Sequence, residues 1–369
     1  MRATQLAFQA LAALLLNPVH VSAGPIEFSR EVKSPDPAQV LTSAAWSPDG
    51  RLLAAAGESP PVFVWETTGH KLIQRLDGGV KGIAAGSRHS VAFSPDGKLL
   101  AAGCRAVRLW ETATWKQTRE IDGPDVNPRV PQPIGVQSLT FGPDGQSLIV
   151  SYYESPPHSS PVVAFRLGDG GVQWSYELHS QFDHPRILPP LLNLPVRHEI
   201  GFSSGQLNVT GQTDLARSTA IIFLEPSLGT ETRRIERIHN EGPAAVAVSR
   251  DEKLLATVGH HGVMSGAWRD TDPIRIWDVA DGKNTHELRI SAGVLAFAFS
   301  PDGRFLVASQ TESPGHNRLR IWRVDSWTEV ETVDLAAAQT VWGLSFSPDG
   351  RQLAAVSPHE VALFQVAPN

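Results

Sequence analysis

A single cysteine, Cys104, stands in 369 residues. That excludes an intrachain disulfide, a multi-cysteine zinc site and a CxxCH haem attachment. An excess of positive charge is also missing, since 32 Lys and Arg face 38 Asp and Glu for a net charge of −6. Phosphate backbones demand a basic surface, so nucleic acid is not an expected partner. The chain has no GxSxG elbow and no HExxH pair, and GGVKG at 78–82 lacks both the Walker spacing and a following helix. Long apolar runs are absent as well. Leu6–Leu16 spans 11 residues, against about 20 for a membrane-spanning helix.

That short run has another reading. Arg2 supplies a positive charge before it, and Val21-Ser22-Ala23 offers small or compact side chains after it. This is the layout of a secretory leader, with cleavage expected after Ala23. No cysteine follows to carry a lipid anchor. Residues 1–23 are therefore expected to be a signal peptide and 24–369 an exported chain, periplasmic or extracellular, without a membrane span.

What the chain does contain is a repeat. AAWSPDGRLLAAAG (44–57) recurs as VAFSPDGKLLAAG (91–103), LTFGPDGQSLIVS (139–151), VAVSRDEKLLATVG (246–259), FAFSPDGRFLVAS (297–309) and LSFSPDGRQLAAVS (344–357), with a weaker copy, EIGFSSGQLNVTG, at 199–211. The residues before the turn, Trp46, Phe93, Phe141, Phe202, Val248, Phe299 and Phe346, are 47, 48, 61, 46, 51 and 47 positions apart. Alternating apolar residues, a Pro-Asp-Gly turn and a returning apolar run describe a β-hairpin. A second hairpin follows each copy, with a first strand such as Val62–Trp65 or Ile274–Trp277 and a charged outer strand such as Lys116–Ile121.

The expected fold is all-β: a seven-bladed β-propeller of four-stranded antiparallel blades. The last copy stops after its third strand, and Ile26–Val32 alternates before the first hairpin. The N-terminal strand is therefore expected to join the last blade and close the ring, removing two free edges.

Trp277-Asp278 ends a third strand, and Trp65-Glu66, Trp110-Glu111 and Trp322-Arg323 hold the same place. With the SPDG-type turns, the chain resembles the WD-repeat family over residues 26–369. The resemblance implies a propeller that serves as a protein-interaction scaffold. The family's Gly-His dipeptide is mostly missing, with Asp77-Gly78-Gly79 and Ser291-Ala292-Gly293 in its place. Its buried His–Asp network is therefore not expected here.

Turns between first and second and between third and fourth strands are short; the other connections carry the insertions, at 77–89, 122–136, 152–161, 179–198, 210–219, 259–273 and 310–318. Long loops on a rigid scaffold are where binding concentrates. The candidate partner-binding residues on that face are Tyr152, Tyr153, His158, Phe182, His260, His261, Trp268, Arg269 and His316. Aromatic residues there suit a protein or peptide groove. The scattered histidines lack metal-ligand spacing, so no metal is assigned. Glu58, Glu154 and Glu312 recur in three of the loops, most simply as repeat ancestry in Pro-stiffened turns. No catalytic residue and no cofactor is expected.

The reading is an exported, non-enzymatic scaffold binding a protein or peptide with its long-loop face, as a monomer or within a hetero-complex. The alternative is an exported propeller hydrolase, lactonase-like, with an axial metal.

Overall fold

The computed structural model describes residues 24–37, 39–57, 61–77, 90–103, 106–123, 135–152, 159–179, 200–204, 220–236, 238–239, 243–259, 273–290, 293–313, 316–335 and 340–368. Among them there is no α-helix, and the strands form seven antiparallel sheets, six of four strands and one of three. Six of them run in sequence order, as in the first: Leu41–Trp46, Leu52–Gly57, Val62–Glu66 and Leu72–Leu76. This is the strand order of β-propeller blades.

The seventh sheet breaks sequence order. Gly343–Phe346, Gln352–Ser357 and Glu360–Val366 are joined by Ile26–Lys33 from the other end of the chain. Ile26 pairs with Val366 and Lys33 with Glu360, with a bulge between Phe28 and Arg30. The N-terminal strand thus covers the edge that the last repeat leaves open.

The fourth sheet differs from expectation. Ile200–Ser204 pairs directly with Ala220–Leu224, Ile200 opposite Leu224, just as Leu53 lies opposite Trp65 in the first sheet. Residues 200–204 are therefore a second strand, and the hairpin expected at 199–211 is shifted by one strand. Repeat similarity misled here because Gly-Phe-Ser-Ser-Gly imitates the strand-turn boundary of the stronger copies. No first strand of this sheet lies among the described residues.

Each strand alternates its side chains between two neighbouring sheets, so the apolar core is divided among the sheet junctions. Val91, Phe93, Leu100 and Trp110 of the second sheet pack with Ala54, Val62 and Val64 of the first. Ala92, Ala101, Val107 and Leu109 face the other way, onto Val136, Leu139 and Val163 of the third. Similar clusters join the third to the fourth, fourth to fifth, fifth to sixth and sixth to seventh sheets. Another joins the seventh to the first, where Trp46, Leu53 and Phe63 meet Ala354, Val356 and Leu363. The Trp46 indole N–H also donates to the Ser345 carbonyl at 3.1 Å across that junction. Burial on both faces explains the continuous apolar runs such as Leu148–Val150.

Candidate binding face

The antiparallel order puts two kinds of connection at opposite ends of every sheet. At one end lie the SPDG-type turns. Ser47 Oγ donates to Asp49 Oδ1 at 2.6 Å and accepts the Leu52 amide at 2.9 Å, while Asp49 Oδ1 accepts the Arg51 amide at 3.0 Å. Ser94, Ser249, Ser300 and Ser347 repeat the same serine–aspartate lock. At Asp96, the Ser94 hydroxyl and the Lys98 amide hold the carboxyl below its usual range. The turns also stack: Gly97 abuts Pro48, Gly145 abuts Pro95, Gly350 abuts Pro301 and Gly50 abuts Pro348. In the fifth sheet Arg250 replaces the proline and reaches the Pro348 carbonyl at 3.4 Å.

The turns between third and fourth strands share that end, and each meets the outer strand of the sheet before it. Where the turn has glycine, the outer strand supplies bulk. Trp174 lies against Gly229 and donates its indole N–H to the Pro226 carbonyl at 2.8 Å, and Ile235 lies against Gly282. Elsewhere the turn supplies the bulk, as where Trp327 packs its ring on His286 at 5.5 Å between centroids. This end is short and closely interlocked.

The other end carries the connections between second and third strands and between one sheet and the next. Of the candidate residues, Tyr153, His158, Phe182, His260, His261, Trp268 and Arg269 lie outside the described residues, as does Cys104. Tyr152 closes the strand Ser147–Tyr152 and is fully buried, with no partner for its hydroxyl among the described residues. Burial, with the Asp122 charge adding to it, raises its pKa. It is a core residue at the base of the loop. His316 is exposed at the start of His316–Arg323.

The loop expected at 310–318 is instead a strand extension. Phe305–Ser313 and His316–Arg323 pair outward through Gln310 with Arg318, Thr311 with Asn317 and Ser313 with His316. Asn317 Oδ1 accepts the Thr311 hydroxyl at 2.8 Å, and Arg318 bridges Glu312 at 2.9 Å and Asp334 at 3.1 Å. Side-chain bonds between facing strands keep the ladder going where sequence shows only polar residues. Glu312 is thereby engaged in structure.

One network went unseen in the sequence. The Trp277 indole N–H donates to Thr257 Oγ1 at 2.8 Å, and Thr257 Oγ1 lies 2.9 Å from Nε2 of buried His239. Arg275 donates to the Ile238 carbonyl at 2.5 Å beside it. A buried histidine therefore ties the entry of the fifth sheet to its second and third strands through Thr257. Its only sequence signal was a histidine before the strand Pro243–Val248, without the glycine.

Among the described residues no three His, Cys, Asp or Glu side chains group as a metal site would require, and the hydrolase alternative gains no support. No helix among them is long and apolar enough to cross a membrane.

The family model for the WD domain, G-beta repeat, matches residues 68–111 and 282–323. Both segments run from a turn after a third strand to the end of the next third strand. Two segments of the chain thus match WD repeats. Small ribosomal subunit protein RACK1 of Brassica napus is 32% identical to this chain over 101 residues, 27% of this chain and 26% of that relative. The similarity spans about a quarter of the relative's length.

Proposed function

We propose that this chain is a WD-repeat protein, an exported, closed seven-bladed propeller that acts as a non-enzymatic scaffold, docking a protein or peptide on its long-loop end. The observation that carries the reading is the asymmetry of the two ends. One is closed by serine–aspartate turns and stacked Pro–Gly contacts; the other holds long connections such as 124–134 and 260–272. Ring closure is supported by the Gly50–Pro348 contact, by the cluster shared between seventh and first sheets, and by the Ile26–Lys33 strand. The similarity of 68–111 and 282–323 to WD repeats supports protein binding by analogy of fold. The ribosomal association in the relative's name is not carried over, since a net charge of −6 disfavours an RNA-rich partner.

Export follows from the leader-like segment at 1–23. Replacing the connection at 260–272 with a tight turn should abolish retention of a stoichiometric partner in affinity capture from the envelope and secreted fractions. The circular dichroism spectrum should stay unchanged. Undiminished capture by the shortened protein would overturn the assignment of the face.

A further inference from the structure

The N-terminal strand is held at its outer end by a small polar cluster. The Ile26 amide donates to Glu331 Oε2 at 3.0 Å, reaching the outer strand Glu329–Asp334 of the sixth sheet. The Ala367 amide donates to the Pro25 carbonyl at 2.8 Å, and Arg304 Nη2 donates to the Ala367 carbonyl at 3.2 Å. Ile26 is fully buried beneath. Gly24 completes the cluster. Its backbone lies so close to the Glu331 carboxyl group that a Cβ there would overlap it.

We propose that removal of residues 1–23 leaves the α-ammonium of Gly24 on the Glu331 carboxylate, and that this ion pair fastens the closing strand Ile26–Lys33 to the neighbouring sheet. The proposal rests on the reading that the chain is exported and cut after Ala23. Hydrolysis of the Ala23–Gly24 amide by a leader peptidase consumes one water. It yields the Ala23 carboxylate and the Gly24 amine, which takes up a proton at neutral pH because α-amines titrate near pH 8. Before cleavage, position 24 offers Glu331 one neutral amide donor. After cleavage it offers three donors and a positive charge, and charge-assisted hydrogen bonds are about twice as strong as neutral ones. Glu331 is half-buried and already accepts the Ile26 amide, so it is preorganised for the new charge. Processing thus tightens the seam at which the two ends of the chain meet.

The test starts with the intact mass of the exported protein, which should place the N-terminus at Gly24. Amide hydrogen exchange over residues 26–33 is then followed in four forms of that processed protein: unmodified, selectively acetylated at its α-amine, Glu331→Gln, and both. Each single change should speed exchange about five- to tenfold, a tenfold change corresponding to ~1.4 kcal/mol. The double form should exchange no faster than the quicker single form, because both changes remove the same interaction. The glutamine keeps an acceptor for the Ile26 amide, so the variant preserves the neutral part of the contact. Independent effects, or no effect of acetylation, in a protein that starts at Gly24 would overturn the ion pair and leave the export reading standing. An N-terminus elsewhere would overturn both together.

Discussion

Glu252 has a φ of +61° at the turn position where Gly50, Gly97, Gly303 and Gly350 have φ of +71 to +74°. A side chain in that left-handed conformation costs roughly 1–2 kcal/mol, whereas glycine takes it without steric penalty. The fifth repeat reads Arg-Asp-Glu where the others read Pro-Asp-Gly, yet it folds the same way because Ser249 and Asp251 keep their lock at 2.7 Å. Glu252→Gly is expected to raise unfolding free energy by about 1 kcal/mol, read as a higher urea midpoint with an unchanged slope. The turn residues were legible in the sequence because their chemistry is local: each serine and aspartate bonds within five positions of itself. Tyr152 was not, since nothing in a sequence distinguishes an aromatic side chain at a strand end that points inward from one on the following loop.

The closing strand carries a second titratable pair. Glu360 lies opposite Lys33, one diagonal step from Glu31, and a diagonal neighbour is within reach of a long side chain. Burial, the Glu31 charge and a hydrogen bond with Glu31 push the Glu360 carboxyl from its ordinary 4.5 up to about 7, with Lys33 opposing. A raised carboxyl holds its proton more tightly in the folded chain. Its contribution is therefore complete below pH 4.5 and fades as pH climbs through 7. The carboxylates of the serine–aspartate turns act in the opposite sense: Asp96 stabilises above its ordinary 3.8 and loses that contribution as the medium acidifies below it. Between pH 5 and 8 the protein should lose about 1 kcal/mol at this seam, a figure reduced for solvent screening. Denaturant titration across that range should show a decline that Glu360→Gln flattens; an equal decline in both proteins would remove the pair from the account.

At the scale of the whole molecule, the N-terminal strand occupies an edge that the C-terminal repeat cannot cover by itself. Deleting residues 24–33 should expose the edge of Glu360–Val366 and the side chains that Ile26 and Val32 cover. Two such side chains are together worth ~3 kcal/mol or more, and an open edge templates pairing with another chain. Size-exclusion chromatography should then show self-association at concentrations where the intact protein elutes as one species.

By itself, the sequence determined the local elements. The spacing of SPDG turns placed the hairpins, the Trp-ended strands marked the third position of four, and the alternating segment after residue 25 found its place in the last sheet. These are properties of periodicity and turn chemistry, carried within a few residues. Only the tertiary structure decided which neighbours those elements meet. It moved residues 200–204 into a second-strand position, because their partner Ala220–Leu224 is 20 residues away. It extended the hairpin through Ser313 and His316, brought His239 to Thr257, and laid Gly24 against Glu331 from the far end of the chain. Each of those outcomes depends on which surfaces pack across sheet junctions, and a pattern along one chain does not encode that choice locally.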